Sequence, residues 1–401
     1  MKNNKSLLTI FFIVFIDLFG FSLILPLLPF IAERYSASPL QVGLLTSAYS
    51  LFQFIAAPIL GRLSDKYGRK KILIISQLGS MAGFILLGLA RSLPILFLSR
   101  IIDGITGGNI SVAQAYIADV TGKKDRARGM GLIGAAFGMG FILGPAIGGL
   151  LSRISFSLPA YFAAGVSLIT SISTWLFLKE TVTANKIIKN KKNGLSLSKF
   201  KEIMTTPTLG FLIIVFFLRN FSFAGMQSNF ALWTERAFSY GPAENGIFFM
   251  LIGIMAVITQ LILLPRLVKK FGERKLLAIG ALGLSLGLFG IYFGQFGLPI
   301  LYVAMMLISV SNGLSGPTLQ AIASESVDKD EYGGTLGILQ SSGSLARIFG
   351  PIATGYMFQA YNKDMPFISS GIIMVIVFVL ILQYLPRERS FFSRLSGVFK
   401  R

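Results

Sequence analysis

Apolar runs of about 20 residues follow one another along this sequence with only short polar breaks, and that succession leaves few folds open to it. A helix needs about 20 apolar residues to cross roughly 30 Å of hydrocarbon. Runs of that kind lie near 7–30, 43–60, 72–90, 94–117, 131–151 and 159–178, and again near 208–231, 246–264, 276–294, 299–322, 334–357 and 366–385. Only 13% of the residues are charged and 53% are hydrophobic, with a mean hydropathy of +0.71, whereas soluble domains carry about 25% charged residues. A spanning β-barrel would show alternating segments of about ten residues instead of solid apolar blocks. The expected fold class is therefore an all-α integral membrane protein of twelve transmembrane helices. The first run, from Leu7 to Phe30, exceeds a signal-peptide core and meets no clear small-residue cleavage site, so it reads as the first span.

The formal net charge of +20 raises the question of nucleic acid, but the basic residues lie between the apolar runs. The lipid bilayer, and not a nucleic acid, is the expected macromolecular partner. When the connections are assigned alternately to two sides, one side collects 29 of the 37 bases: Lys2, Lys5, the Arg62 to Lys71 and Lys123 to Arg128 clusters, the 179–207 segment, Arg266 to Lys275, Lys329 and the tail. The other side holds Arg34, Arg91, Arg153, Arg236 and Lys363. The positive-inside rule then places both termini in the cytoplasm of a cell membrane. Three arginines, Arg100, Arg219 and Arg347, remain inside apolar runs. Cysteine and histidine are both absent, so thiol chemistry and imidazole proton transfer are excluded and proton chemistry must rest on carboxylates. No phosphate-binding loop, metal-ligand cluster or nucleophile-base pair is present. An enzyme is not expected, nor a cofactor or metal.

The lysine-rich segment 179–207 separates two sets of six runs, which gives expected domains of 1–178 and 208–401 joined by a cytoplasmic linker. The sets share sequence: Gly144-Pro145 recurs as Gly350-Pro351, Gly131 as Gly337 and Asp119 as Glu325, all at one offset, and GRLSDKYGRK has a degenerate echo in PRLVKKFGER. Paired six-helix repeats are a transporter architecture with the solute site between them near the bilayer midplane.

The loop GRLSDKYGRK, residues 61–70, is the sharpest local signal. Gly61 and Gly68 would permit a tight turn between two helices, and Asp65 is the one acid amid the five bases of residues 62–71. That carboxylate could accept from the N-terminus of a neighbouring helix and latch the halves in one state. The loop resembles the signature after the second helix of the major facilitator superfamily. Further stretches are similar to motifs of that superfamily: SRIIDGITGG (99–108) to its fourth-helix motif, on Arg100 and Gly104, and GFILGPAIGG (140–149) to the fifth-helix motif of antiporters, on Gly140, Gly144, Pro145, Gly148 and Gly149. IDLFGFSLILPLLP (16–29) is similar to the first helix of tetracycline/proton antiporters and related multidrug exporters. The resemblance implies two pseudo-symmetric six-helix bundles working by alternating access, with Gly61, Asp65, Gly68 and Arg69 as a conformational gate. The fifth-helix glycines have packing as their immediate role, since small residues let helix backbones approach closely in lipid.

Intramembrane charges cost at least about 2.5 to 3.5 kcal/mol each at the helix centre, so each needs a partner or a function. Asp17 lies near the middle of the first run, and an acid stands at the matching site of the tetracycline exporters; it is the expected proton carrier. Arg100 and Asp103 are three residues apart on one helical face. They are read as a mutual ion pair or as part of the proton-coupling group. Arg219, Asn220, Gln227 and Arg347 are the candidates for substrate binding, with the two arginines facing the carboxylates across the interface. Most of the 36 phenylalanines face lipid or pack between helices.

The function these features imply is a proton-coupled efflux antiporter of amphipathic small molecules or drugs, acting as a monomer. The alternative is a proton-coupled symporter or exchanger of a polar or anionic metabolite, which the intramembrane arginines would suit. The tetracycline exporters carry an acid in the ninth helix, whereas AIGALGLSLGLFGIYFG has none, which argues against tetracycline itself.

Overall fold

The computed structural model describes residues 2–121, 126–182, 206–327 and 332–384. Every expected apolar run is helical, and the described residues contain no strand. The elements are α1 (Lys2–Ile24), α2 (Leu28–Glu33), α3 (Pro39–Tyr67), α4 (Arg69–Gly88), α5 (Leu93–Thr106), α6 (Asn109–Val120), α7 (Arg126–Ser152), α8 (Leu158–Phe177), α9 (Pro207–Phe238), α10 (Pro242–Ile258), α11 (Leu264–Phe271), α12 (Glu273–Gly294), α13 (Leu298–Glu325), α14 (Tyr332–Ala360) and α15 (Met365–Tyr384). Among the described residues ten stretches are long and apolar enough to cross a membrane. The other two of the twelve begin with the shorter apolar stretch Thr9–Ile24 of α1. The second is α14, which is long enough but carries Gln340, Ser341, Ser342, Ser344 and Arg347 within two turns. The linker residues 183–205, Lys123, Lys124, Lys329 and the tail beyond Tyr384 lie outside the described residues.

Several boundaries depart from the apolar runs for local reasons. The first helix ends at Ile24, not near Phe30, because Pro26 has no N–H to continue the ladder and disfavours helical backbone before it; Pro29 then opens the one-and-a-half-turn α2. The second helix begins at Pro39 under a capping box of Ser38 and Gln41 and runs through the polar motif to Tyr67. Gly61 is thus helical and makes no turn. Gly68 makes it alone, with φ 105°, a region that favours glycine. The fourth span is broken in two at Gly107-Gly108. A Cβ on Gly107 would lie 2.7 Å from the Tyr49 hydroxyl, and one on Gly108 would lie 2.9 Å from the Ala57 nitrogen, so the break lets the fourth span press against α3. The eighth span continues from α10 through a π-turn at Thr259–Leu263 into α11.

Packing within the two sets of six repeats. The first helix lies on the fifth (α1 on α7) as the seventh lies on the eleventh (α9 on α14), and the third on the sixth (α4 on α8) as the ninth on the twelfth (α12 on α15). The sets meet along α3 with α14 and α7 with α10, two contacts related by exchanging the sets. At one end these contacts are tight. A Cβ on Gly43 would lie 2.9 Å from the Pro351 carbonyl carbon, and one on Gly246 would lie 3.2 Å from that of Pro145. Ser47 Oγ donates to the Ile348 carbonyl at 2.6 Å. Arg236 pairs with Glu33 at 3.3 Å, and Arg153 approaches Glu244 at 3.9 Å. Burial first, and then the neighbouring Glu235 carboxylate, push Glu33 above the ordinary carboxylate value, against the pull of Arg236. Towards the end that carries GRLSDKYGRK the sets part: a Cβ on Gly138 would still lie 2.8 Å from Val257, but one on Gly134, a turn further, meets nothing within 4 Å. Among the described residues the interface between the sets is sealed at the first end and loosens towards the motif end, and Arg347 lines the cleft between them.

Candidate functional site

The first six spans place a polar cluster at the cleft. Asp17, in the middle of α1, accepts from Asn109 Nδ2 at 2.5 Å through Oδ2. Its Oδ1 is buried and has no hydrogen-bond partner among the described residues. Asn109 is the first residue of α6, so the break at Gly107-Gly108 turns its side chain and the start of that half-helix towards the carboxylate. Arg100 Nη1 lies 3.2 Å from Asp103 Oδ2, with side chains only 3% and 5% exposed. The two pair with each other, while Arg100 Nε and Nη2 remain without partners among the described residues. Tyr49 stands among these groups, its ring stacked on Phe21 at 4.8 Å between centroids. Its hydroxyl accepts from Gln53 Nε2 at 3.0 Å, and the same Nε2 donates to the Gly107 carbonyl at 2.9 Å. Phe21, Thr46, Tyr49 and Arg100 border a void of about 10 Å³ directly under the sealed end, roughly the room one water needs.

The second six spans contribute differently from expectation. Arg219 does not face Asp17. It is buried within its own set, donating from Nε to Ser315 Oγ at 2.7 Å and from Nη2 to the Asn312 carbonyl at 2.7 Å and to Asn312 Oδ1 at 2.5 Å. Asn220 donates to the Phe216 carbonyl at 2.7 Å and packs against Gly343, and Gln227 is half-buried. Arg347 is not withdrawn in this way: it is accessible to water, the carbonyl of its neighbour Ile348 accepts from Ser47 across the interface, and Nη2 donates to Ser344 Oγ at 2.9 Å.

At the motif end Asp65 is 43% exposed and pairs with Arg69 at 2.5 Å, within its own segment. Arg69 also bonds Ser64, and its Nε reaches Asp119 at 3.3 Å. The helix N-terminus expected to meet Asp65 meets Glu180 instead: the Arg69 and Lys70 N–H groups donate to its carboxylate at 2.8 and 3.2 Å, and Thr181 Oγ1 donates to Asp119 at 3.0 Å. Among the described residues no ion pair of this cluster reaches the second set. In the fifth span Gly140 and Gly144 lie against α1, where added Cβ atoms would sit 3.1 Å from the Phe19 nitrogen and 2.8 Å from that of Leu23; Gly148 also packs on Leu23. Gly149 and the Pro145 carbonyl face α10.

Sequence reasoning missed Asn109, Tyr49, Gln53 and Glu180. Asn109 carried a faint signal, an amide directly after a glycine pair in an apolar run. No three acids gather into a metal-sized group among the described residues.

Residues 10–333 and 261–400 match the family model described as Major Facilitator Superfamily. Among curated proteins, the chain is 32% identical over 362 residues to the class H tetracycline resistance protein of Pasteurella multocida, covering 88% of this chain and 89% of that protein. It is 28% identical over 383 residues to Multidrug resistance protein 2 of Bacillus subtilis (strain 168), covering 94% and 95%. Among solved structures it resembles the human organic anion transporter MFSD10 (TETRAN), with a TM-score of 0.71 and 25% identity over 95% of this chain and all of that one. The nucleoside transporter NupG, 13% identical with a TM-score of 0.77 over 96% of this chain and all of that one, shares the fold.

Proposed function

The chain belongs to the major facilitator superfamily and is a multi-pass membrane transporter, and from that premise we propose that it is a proton-coupled efflux antiporter for amphipathic small molecules. The observation that carries this reading is the Asp17 carboxylate: one oxygen is held by Asn109 and the other is buried and free, beside the cleft between two repeated sets of helices. In a chain without histidine, such an oxygen can hold a proton or a substrate cation but not both. Occupancy by one expels the other, which is the requirement for exchange. The relatives named for tetracycline and multidrug resistance support export over uptake.

In this reading residues 1–178 and 208–401 are the two moving bodies, joined by the 179–207 linker. The termini and GRLSDKYGRK are cytoplasmic, as the distribution of bases favours. The cleft then opens inward, and alternating access consists of parting the sealed end while the motif end closes. Gly61, Asp65, Gly68 and Arg69 act when that end closes, with Asp119 and Glu180 holding them in place. Gly140, Gly144, Pro145, Gly148 and Gly149 keep α7 tight on α1 and α10. Arg100 and Asp103 form a neutral pair that shapes the proton site.

Asp17→Asn keeps the shape of the side chain and cannot release a proton. In proteoliposomes the variant should insert and still exchange an amphipathic cation such as ethidium down its own gradient, but lose accumulation driven by a pH difference. Full pH-driven uphill transport by Asp17→Asn, with its loss in Asp103→Asn, would move the proton site to the fourth span.

A further inference from the structure

The charges of the cleft do not pair off completely. Arg100 is neutralised by Asp103, and Arg219 is withdrawn into its own bundle on Asn312 and Ser315. Two charges are left on opposite walls: Asp17, held by the neutral Asn109, and Arg347, held by the neutral Ser344. No ion pair to either exists among the described residues. Tyr49 is near both: Phe21, one turn along α1 from Asp17, stacks on its ring, and Ser47, two residues before it, bonds the carbonyl of Ile348, the neighbour of Arg347. Opposite charges in a membrane interior normally meet, because each is costly alone. Here the two walls hold them apart, and Tyr49 stacked on Phe21 lines the gap with aromatic surface.

Resting on the exporter reading, we propose that the cleft is a two-pole site for zwitterionic amphiphiles, with the substrate's cationic group at the free Oδ1 of Asp17 and its anionic group at Arg347. The chemistry selects a zwitterion over either single charge. A substrate with only a cation displaces the proton from Asp17 but leaves Arg347 bare. One with only an anion satisfies Arg347 but binds best while Asp17 is still protonated, so it favours moving with the proton and not against it. A zwitterion satisfies both poles, and its already protonated amine replaces the single proton that leaves Asp17. Arg347 is then the residue that sets specificity, and Asp17 the one that sets coupling. An aromatic body joining the two groups would lie along Phe21 and Tyr49.

Three probes of one size, each with an aromatic body between its two end groups, separate these cases: 4′-(aminomethyl)biphenyl-4-carboxylic acid as zwitterion, its methyl ester as cation and its N-acetyl derivative as anion. Their pH-driven flux is measured with the full chain in proteoliposomes, with ethidium as a cation outside the series. The native protein should take the zwitterion with a KM about tenfold or more below that of the ester, the effect of one hydrogen-bonded charge contact. Arg347→Gln should raise the zwitterion KM to that of the ester, and a Tm in detergent close to that of the native protein shows that the variant is folded. Arg347→Lys should keep part of the gap. Equal KM values for zwitterion and ester in the native protein, or an equal rise for both in Arg347→Gln, would overturn the two-pole site while the exporter reading stands. If neither ethidium nor any biphenyl probe moves on a pH gradient, the exporter reading fails and takes the site with it.

Discussion

The two ends of the cleft are built from opposite materials. The sealed end is closed by backbone against backbone: Gly43 sits on the Pro351 carbonyl and Gly246 on that of Pro145, in two copies related by the internal repeat, with ion pairs only at the rim. The motif end is a cluster of charges, Asp65, Arg69, Asp119 and Glu180, whose bonds to described residues lie within the first set of helices. Close packing is lost over short distances and resists any added atom, so it makes a seal that is either shut or open. Charged side chains are long and can change partners, so the same cluster can serve the open state now and the closed state later.

That contrast can be broken in three places, read through the thiol reactivity of a single cysteine at Ser228, which lies 3.4 Å from Thr46 across the sealed end. The chain has no cysteine of its own. The largest effect is expected for Gly43→Val, which drives side-chain atoms into the Pro351 carbonyl. Overpacking of this kind costs roughly 1 to 3 kcal/mol, enough to shift the balance about 5- to 150-fold away from the sealed state. The Ser228→Cys thiol should become freely reactive and transport should fall; unchanged reactivity would mean that glycine packing does not hold this end. Asp65→Asn should act in the opposite direction and more weakly. It removes a group that serves the motif end when that end closes, so the present state gains population, the thiol becomes less reactive and transport slows several-fold. A rise in reactivity would refute the division of roles between the ends. The smallest effect belongs to Gly134→Ala, since nothing lies within 4 Å of the added methyl. Reactivity should not move, and the helix should gain about 0.4 to 1 kcal/mol from reduced backbone freedom; a marked change in reactivity would show that the open end closes on Gly134.

Much of this was legible in the residues. Apolar runs located all twelve spans, because crossing hydrocarbon fixes both length and polarity, and the repeated Gly-Pro announced the relation between α7 and α14. The cost of charge in lipid singled out Asp17, Arg100, Asp103, Arg219 and Arg347. Their partners were not legible, since a hydrogen bond depends on where two helices cross. Arg219 and Arg347 look alike in the sequence, yet one is bonded to Asn312 and Ser315 inside its bundle and the other stands in the cleft. Asp65 was expected to cap a neighbouring helix, but the chain leaving α8 returns Glu180 to that N-terminus first. Asn109 reaches Asp17 only because the fourth span breaks at a glycine pair pressed against α3. The sequence by itself determined which residues must lie in the membrane and which of them are too costly to be idle. The tertiary structure decided which of those charges are already satisfied and which remain for a solute, because that depends on distances between helices that no local pattern encodes.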